Sequence, residues 1–162
     1  MNNSTYVVDH VRWTTARPFE AVRADFERQL GRVDADAYKA SLAGGDVEAT
    51  RATIEAMAGP SGFMVFATHD HGSLLGMVGP RRKALQYILG NPLFAVQMTR
   101  HAIAASLYAP LRVLLYEDDE GASCIEYDRP SSLFGQFGDD RIGQVAASLD
   151  RKLESLAATA IR

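Results

Sequence analysis

The stretch from Gly62 to Pro130 constrains the fold most, because it holds the strongest strand signals, the clearest helix start and three of the four histidines. Phe63 to Thr68 is a continuous apolar run bounded by Gly59-Pro60-Ser61-Gly62 and His69-Asp70-His71-Gly72, the pattern of a central strand. Ser73 to Val78 has the length of a helical turn. Lys83 to Leu89 resumes as a strand, with Leu85, Tyr87 and Leu89 on one face. Gly90-Asn91-Pro92 then starts a helix: asparagine can accept from its orphan N–H groups, and a proline in first position has no N–H to satisfy. Leu93, Val96, Ile103 and Leu107 share one face of that helix, and Arg100 falls in the centre of their stripe. A buried arginine without a partner is costly, so either the helix breaks near Thr99 to His101, the favoured reading, or Arg100 faces a polar pocket. Leu111 to Glu117 and Ser123 to Tyr127 read as a hairpin around Asp118-Asp119-Glu120-Gly121.

The flanks complete the order. Tyr6 to Trp13 is β-branched and aromatic enough for a strand. Pro18 opens a helix with Phe19, Val22, Phe26 and Leu30 at helical spacing, and Gly31 supplies a left-handed stop. Residues 32–60 read as a helical insert, with helices over Asp36 to Leu42 and Asp46 to Ala58, the second capped by Asp46. Pro130 to Gly138 is an ordered loop that buries Phe134 and Phe137. Asp139 or Asp140 caps a last helix whose Ile142, Val145, Ala146, Leu149, Leu153 and Leu156 make the cleanest amphipathic pattern in the chain. The sum is one α+β domain over residues 1–162, a two-layer sandwich of a mainly antiparallel sheet with helices packed on one face.

Composition narrows the function classes. The chain has 17 basic and 20 acidic residues, a net −3, and its basic residues do not cluster with aromatics, so nothing points to nucleic acid or an anionic membrane. No apolar run approaches transmembrane length. Cys124 is the only cysteine, which excludes an intrachain disulfide, and MNNSTYVVDH lacks the pattern of a signal peptide; the expectation is a cytoplasmic protein.

Asp70-His71, Gly90-Asn91-Pro92, Ala109-Pro110 and Tyr127-Asp128-Arg129-Pro130, in this order and spacing, resemble the domain of unknown function 302 family over about half the chain, Gly62 to Gly138. Ala109 stands where that family has leucine, Asp128 where asparagine is usual, and the 32–60 insert is longer than the family's link. The resemblance implies an α+β domain, often a homodimer, without an established activity and with no catalytic residues to carry over.

The candidate sites rest on residue chemistry. His71, beside Asp70 at a strand end, suits an acid, a base or a metal ligand near neutral pH, against the plainer role of capping the turn. His69 lies two residues away, on the same face of an extended strand, and His101 or Glu117 could complete a metal site; the spacing by itself does not define one. Arg100 and His101 at the helix break could hold a carboxylate or phosphate. Tyr127 could turn its hydroxyl to a ligand, while Glu117 to Glu120 read as a solvated hairpin tip and Cys124 as a buried, inert thiol. No phosphate loop or dinucleotide fingerprint is present, so no cofactor is indicated. The leading reading is a small-molecule-binding domain with its pocket between the sheet and Pro92 to Tyr108, lined by His71, Arg100, His101 and Tyr127, the arginine favouring an anionic ligand. The alternatives are an enzyme using His71 as general base or metal ligand, and a structural or partner-binding homodimer.

Overall fold

Leu85, Tyr87 and Leu89 alternate along their strand and are all buried, which gives the sheet a covered face and an open one. A computed structural model describes residues 3–162; Met1 and Asn2, the first residues of the stretch read above for a signal peptide, lie outside the described residues. The strands are β1 (His10–Thr15), β2 (Gly31–Arg32), β3 (Met64–Asp70), β4 (Ala84–Gly90), β5 (Leu111–Glu117) and β6 (Ser123–Asp128). They form one sheet in the order β1-β6-β5-β4-β3-β2, antiparallel throughout except for the short β2–β3 pair. The helices are α1 (Phe19–Glu27), α2 (Ala35–Gly44), α3 (Val47–Met57), α4 (His71–Leu74), α5 (Pro92–Thr99), α6 (Pro130–Phe134) and α7 (Asp140–Ile161), with a 3-10 segment over Ile103–Tyr108.

The α+β sandwich is therefore as the pattern predicts. Phe19, Val22 and Phe26 of α1 and Ile142, Ala146, Leu153 and Leu156 of α7 pack with the inward side chains of β4, β5 and β6 into one core. Each large apolar side chain so buried contributes about 1.5–3 kcal/mol. Tyr87 is buried with them, and its hydroxyl donates to Glu27 Oε1 at 2.8 Å. Burial and that carboxylate push the phenol above its ordinary range.

Four expectations need correction. β1 begins at His10 rather than Tyr6, because its partner strand ends at Asp128; Arg129 N donates to Asp9 O, and Pro130, without an N–H, opens α6. Phe63 to Thr68 does not become a central strand: β3 lies second from the edge, beside the two-residue β2. Gly31 is not a left-handed stop but part of β2. It and Gly59 both donate to the Phe63 carbonyl at 2.9 Å, and a Cβ on Gly31 would overlap the Met57 carbonyl oxygen and come within 2.6 Å of Gly59 N. Finally, the helix does break after Thr99, but the expected apolar stripe faces outward on both sides of the break: Val96, Ile103 and Leu107 are 53%, 79% and 80% exposed, while Met98 and Ala105 are buried.

Two glycine substitutions test this packing with opposite signs. Gly31→Ala is expected to lose about 1–3 kcal/mol or more in urea unfolding, through backbone overlap. Gly143→Ala in α7, whose added Cβ meets nothing within 4 Å, is expected to gain about 0.5–1 kcal/mol. A tolerated Gly31→Ala would refute the close approach.

Candidate functional site

The site is organised by Asn91. Its Oδ1 accepts from Leu93 N at 2.8 Å and caps α5, and its Nδ2 donates to the Gly62 carbonyl at 2.9 Å, tying the start of α5 to the segment that enters β3. Gly90, at the end of β4, lies beside the chain leading to β5: a Cβ there would stand in ordinary contact with Pro110, at 3.6 Å. The Ala109-Pro110 peptide is cis. Between these segments lies a cavity of about 200 Å³.

Its walls are apolar. Phe63 and Phe94 meet edge to face at 6.2 Å, Met98 continues the α5 side, and Pro110 and Leu111 form the β5 side. Phe66 reaches it because β3 carries a bulge between Val65 and Ala67, which turns the extra residue out and leaves it 37% exposed. Tyr38, from α2 in the insert, completes the lining. The amide of Asn91 is engaged on both sides, its oxygen accepting from Leu93 N and one of its two N–H groups donating to Gly62 O.

The histidine-centred lining expected from the sequence does not form. The cavity lies against α5, within the Pro92 to Tyr108 region predicted for it, but His71, Arg100, His101 and Tyr127 do not line it. His71 is exposed at the start of α4, at the end of the sheet where Asp70 pairs with Leu85, opposite the end that carries Gly90. Asp70, not His71, caps that turn, accepting from Ser73 N at 2.8 Å and Ser73 Oγ at 2.6 Å; the hydroxyl bond holds its carboxyl below the usual range. Arg100 is exposed just after α5, and His101 follows it half-buried. Tyr127 is buried on the covered face, accepting from Trp13 Nε1 at 3.4 Å. No hydrogen bond or ion pair joins any two of these four among the described residues. His69 and His71 have ring centroids 6.3 Å apart; Glu117 is held by Lys83 at 2.8 Å, and no three His, Cys, Asp or Glu side chains among the described residues are grouped to hold a metal ion.

A polar cluster that the sequence did not single out lies on the open sheet face. His10 places Nδ1 at 3.0 Å from Asp128 and Nε2 at 3.0 Å from Glu126, an arrangement in which only the imidazolium donates at both nitrogens. Arg12 reaches Glu126 at 3.3 Å, Asp118 at 3.2 Å and the buried Cys124 Sγ at 3.3 Å, and Tyr116 donates to Glu126 at 2.6 Å. The Asp128 bond, then the Glu126 bond, raise the His10 pKa above its ordinary value. Burial pushes Glu126 up, but Tyr116 and His10 outweigh it and hold the carboxyl below its usual range. The only sequence signal was cross-strand charge pairing, His10 opposite Asp128 and Arg12 opposite Glu126, which needs the register.

A two-layer α+β domain with one covered sheet face and an apolar cavity at the sheet's end is the class this geometry defines. Residues 38–160 match the model of the family described as domain of unknown function DUF302, and the chain belongs to that family. β1 and α1 lie before the matched residues yet complete the same sheet and core. The fold is similar to the crystal structure of an uncharacterized conserved DUF302 protein from Bacillus stearothermophilus, with a TM-score of 0.65 and 15% identity, covering 94% of this chain and 98% of that one. No curated protein matches this chain.

The His10 cluster has a signed pH dependence. A raised folded-state pKa means that its contribution is fully present below the ordinary value of 6.5 and is lost as pH rises through the higher folded value. Denaturant unfolding from pH 5 to 9 is expected to show that loss, and His10→Asn to flatten it. An unchanged slope in the variant would exclude the clamp.

Proposed function

We propose that this domain, a single unit with residues 32–60 as its insert, binds a small, largely apolar molecule in the cavity beside Gly90-Asn91-Pro92 and Ala109-Pro110. The observation that carries this reading is the wall chemistry: three phenylalanines, Met98, Pro110 and Leu111 line about 200 Å³, with the Asn91 oxygen and one of its N–H groups engaged by the backbone. Engineered apolar cavities on the order of 150 Å³ bind benzene, so a single aromatic ring or a short alkyl chain suits this space. Because Arg100 and His71 stand outside the lining, the ligand needs no anionic group for this site. No helix among the described residues is long and apolar enough to cross a membrane. An unpaired Cys124 is in keeping with a cytoplasmic setting.

Self-association is a second reading, favoured by the exposure of Ile103 and Leu107 at 79% and 80% on adjacent turns. It agrees with the dimer expected from the family resemblance. The enzyme reading is supported least, since the ring nearest His71 is that of His69 at 6.3 Å and the Asp70 carboxylate is committed to Ser73.

Titration with a series of straight-chain alcohols, followed by amide chemical shifts, tests the cavity. Affinity is expected to rise by about 0.8 kcal/mol, or about fourfold, per added CH₂ until the space is filled. Ala95→Phe, which puts a ring into the lining, is expected to abolish binding while the chain stays folded. Binding that ignores chain length, or survives the filling, would reject the reading. Sedimentation velocity tests the second: a wild-type dimer should become monomeric in Ile103→Asp/Leu107→Asp, and a wild-type monomer at all concentrations would dismiss it.

A further inference from the structure

A groove between α7 and the loop before β3 has the opposite chemistry. On α7, Arg151 and Lys152 each lie three or four residues from both Ser148 and Ser155, and all four line one groove. They face Pro60 and Ser61 across a groove of about 430 Å³ that no acidic residue lines. Asp150 is turned away toward α6, accepting from Ser131 N at 2.9 Å with Arg129 at 4.0 Å. Neither Arg151 nor Lys152 has a carboxylate within 4.0 Å among the described residues, in a chain whose net charge is −3.

The donors are positioned and unspent. Lys152 Nζ donates one N–H to the Ser61 carbonyl at 3.3 Å and stands 5.1 Å from the centroid of the Phe94 ring, leaving two N–H groups to use. Gly62, at φ 82°, keeps that approach open: a Cβ there would lie 3.1 Å from Lys152 Nζ. Among the described residues, exposed Arg151 has no protein acceptor for any of its five N–H groups, and the Ser155 hydroxyl has no partner. Ser61 and Ser148 are committed, donating to Gln29 O and Val145 O.

We propose that this groove binds the phosphoryl group of a phosphate monoester, held between the Arg151 guanidinium and the Lys152 ammonium with the Ser155 hydroxyl as third donor. Two adjacent cations match a dianion with three acceptor oxygens better than a carboxylate, which one arginine satisfies. The site is separate from the apolar cavity, and its test is independent of what that cavity holds.

Inorganic phosphate titrated into the isotope-labelled full chain at low salt is the first probe, with sodium chloride at matched ionic strength as its control. Saturable shifts are expected in the amides of residues 60–62 and 148–155, and Arg151→Gln/Lys152→Gln should weaken them about tenfold or more. Arg151→Gln alone, an exposed change that leaves the Lys152–Phe94 packing in place, should weaken them severalfold, while Arg81→Gln, an arginine outside the groove, should not. Sedimentation with phosphatidylcholine vesicles containing phosphatidic acid identifies the source: pelleting lost in the double variant assigns a lipid headgroup, and phosphate binding without pelleting assigns a free monoester. Shifts that are absent, that chloride reproduces, or that both variants retain in full would overturn the proposal.

Discussion

The Asn91 side chain is the interaction on which the rest depends. One amide caps α5 through its oxygen and holds the Gly62 carbonyl through its nitrogen, so the end of β4, the entry to β3 and the first turn of a helix are fixed to one another. Losing it would leave a half-buried carbonyl and an orphan helix N–H unpaired, a cost of about 1–3 kcal/mol for each buried group. It would also release Phe94 from its edge-to-face contact with Phe63. The same two segments meet Lys152, whose ammonium lies over the Phe94 ring and on the Ser61 carbonyl. Both the apolar cavity and the cationic groove therefore take their shape from a single polar anchor.

What local chemistry decides was legible. The alternation of Leu85, Tyr87 and Leu89, the Asn91-Pro92 helix start, the hairpin closed by Gly121 at φ 82° and the cap of α7 by Asp139 each depend on neighbours within a few residues. The break after Thr99 was legible from the cost of burying Arg100, but the direction of the following segment was not, and so Ile103 and Leu107 read as core. β2 was missed because two residues, one of them glycine, carry no periodicity; only the converging N–H groups of Gly31 and Gly59 on Phe63 define it.

The candidate site was less legible, for a related reason. His71, Arg100, His101 and Tyr127 attract notice by functional-group chemistry, yet the antiparallel register sends His71 to one end of the sheet and places Tyr127 beneath α7. Phe63 and Phe66 read only as part of an apolar strand run and Phe94 drew no separate reading; the β3 bulge and the approach of Pro110 bring them together as the wall of a cavity. His10 carries no sequence signature because its partners come from β6, 116 and 118 residues away. Such charges occupy the β1–β6 side of the open sheet face. With β1 presenting His10 and Arg12 and β2 only two residues long, neither edge offers a flat apolar template to another sheet.

The insert changes what the cavity is built from. α2 buries no residue of its own and is held chiefly to α3, by contacts such as Thr50 Oγ1 to Ser41 O at 2.9 Å. It nonetheless supplies Tyr38 to the lining. A helix without a buried face opens locally at less free energy than global unfolding requires. The lining therefore joins side chains fixed in the core, Phe63 and Met98, to one carried by a helix that buries none of its own.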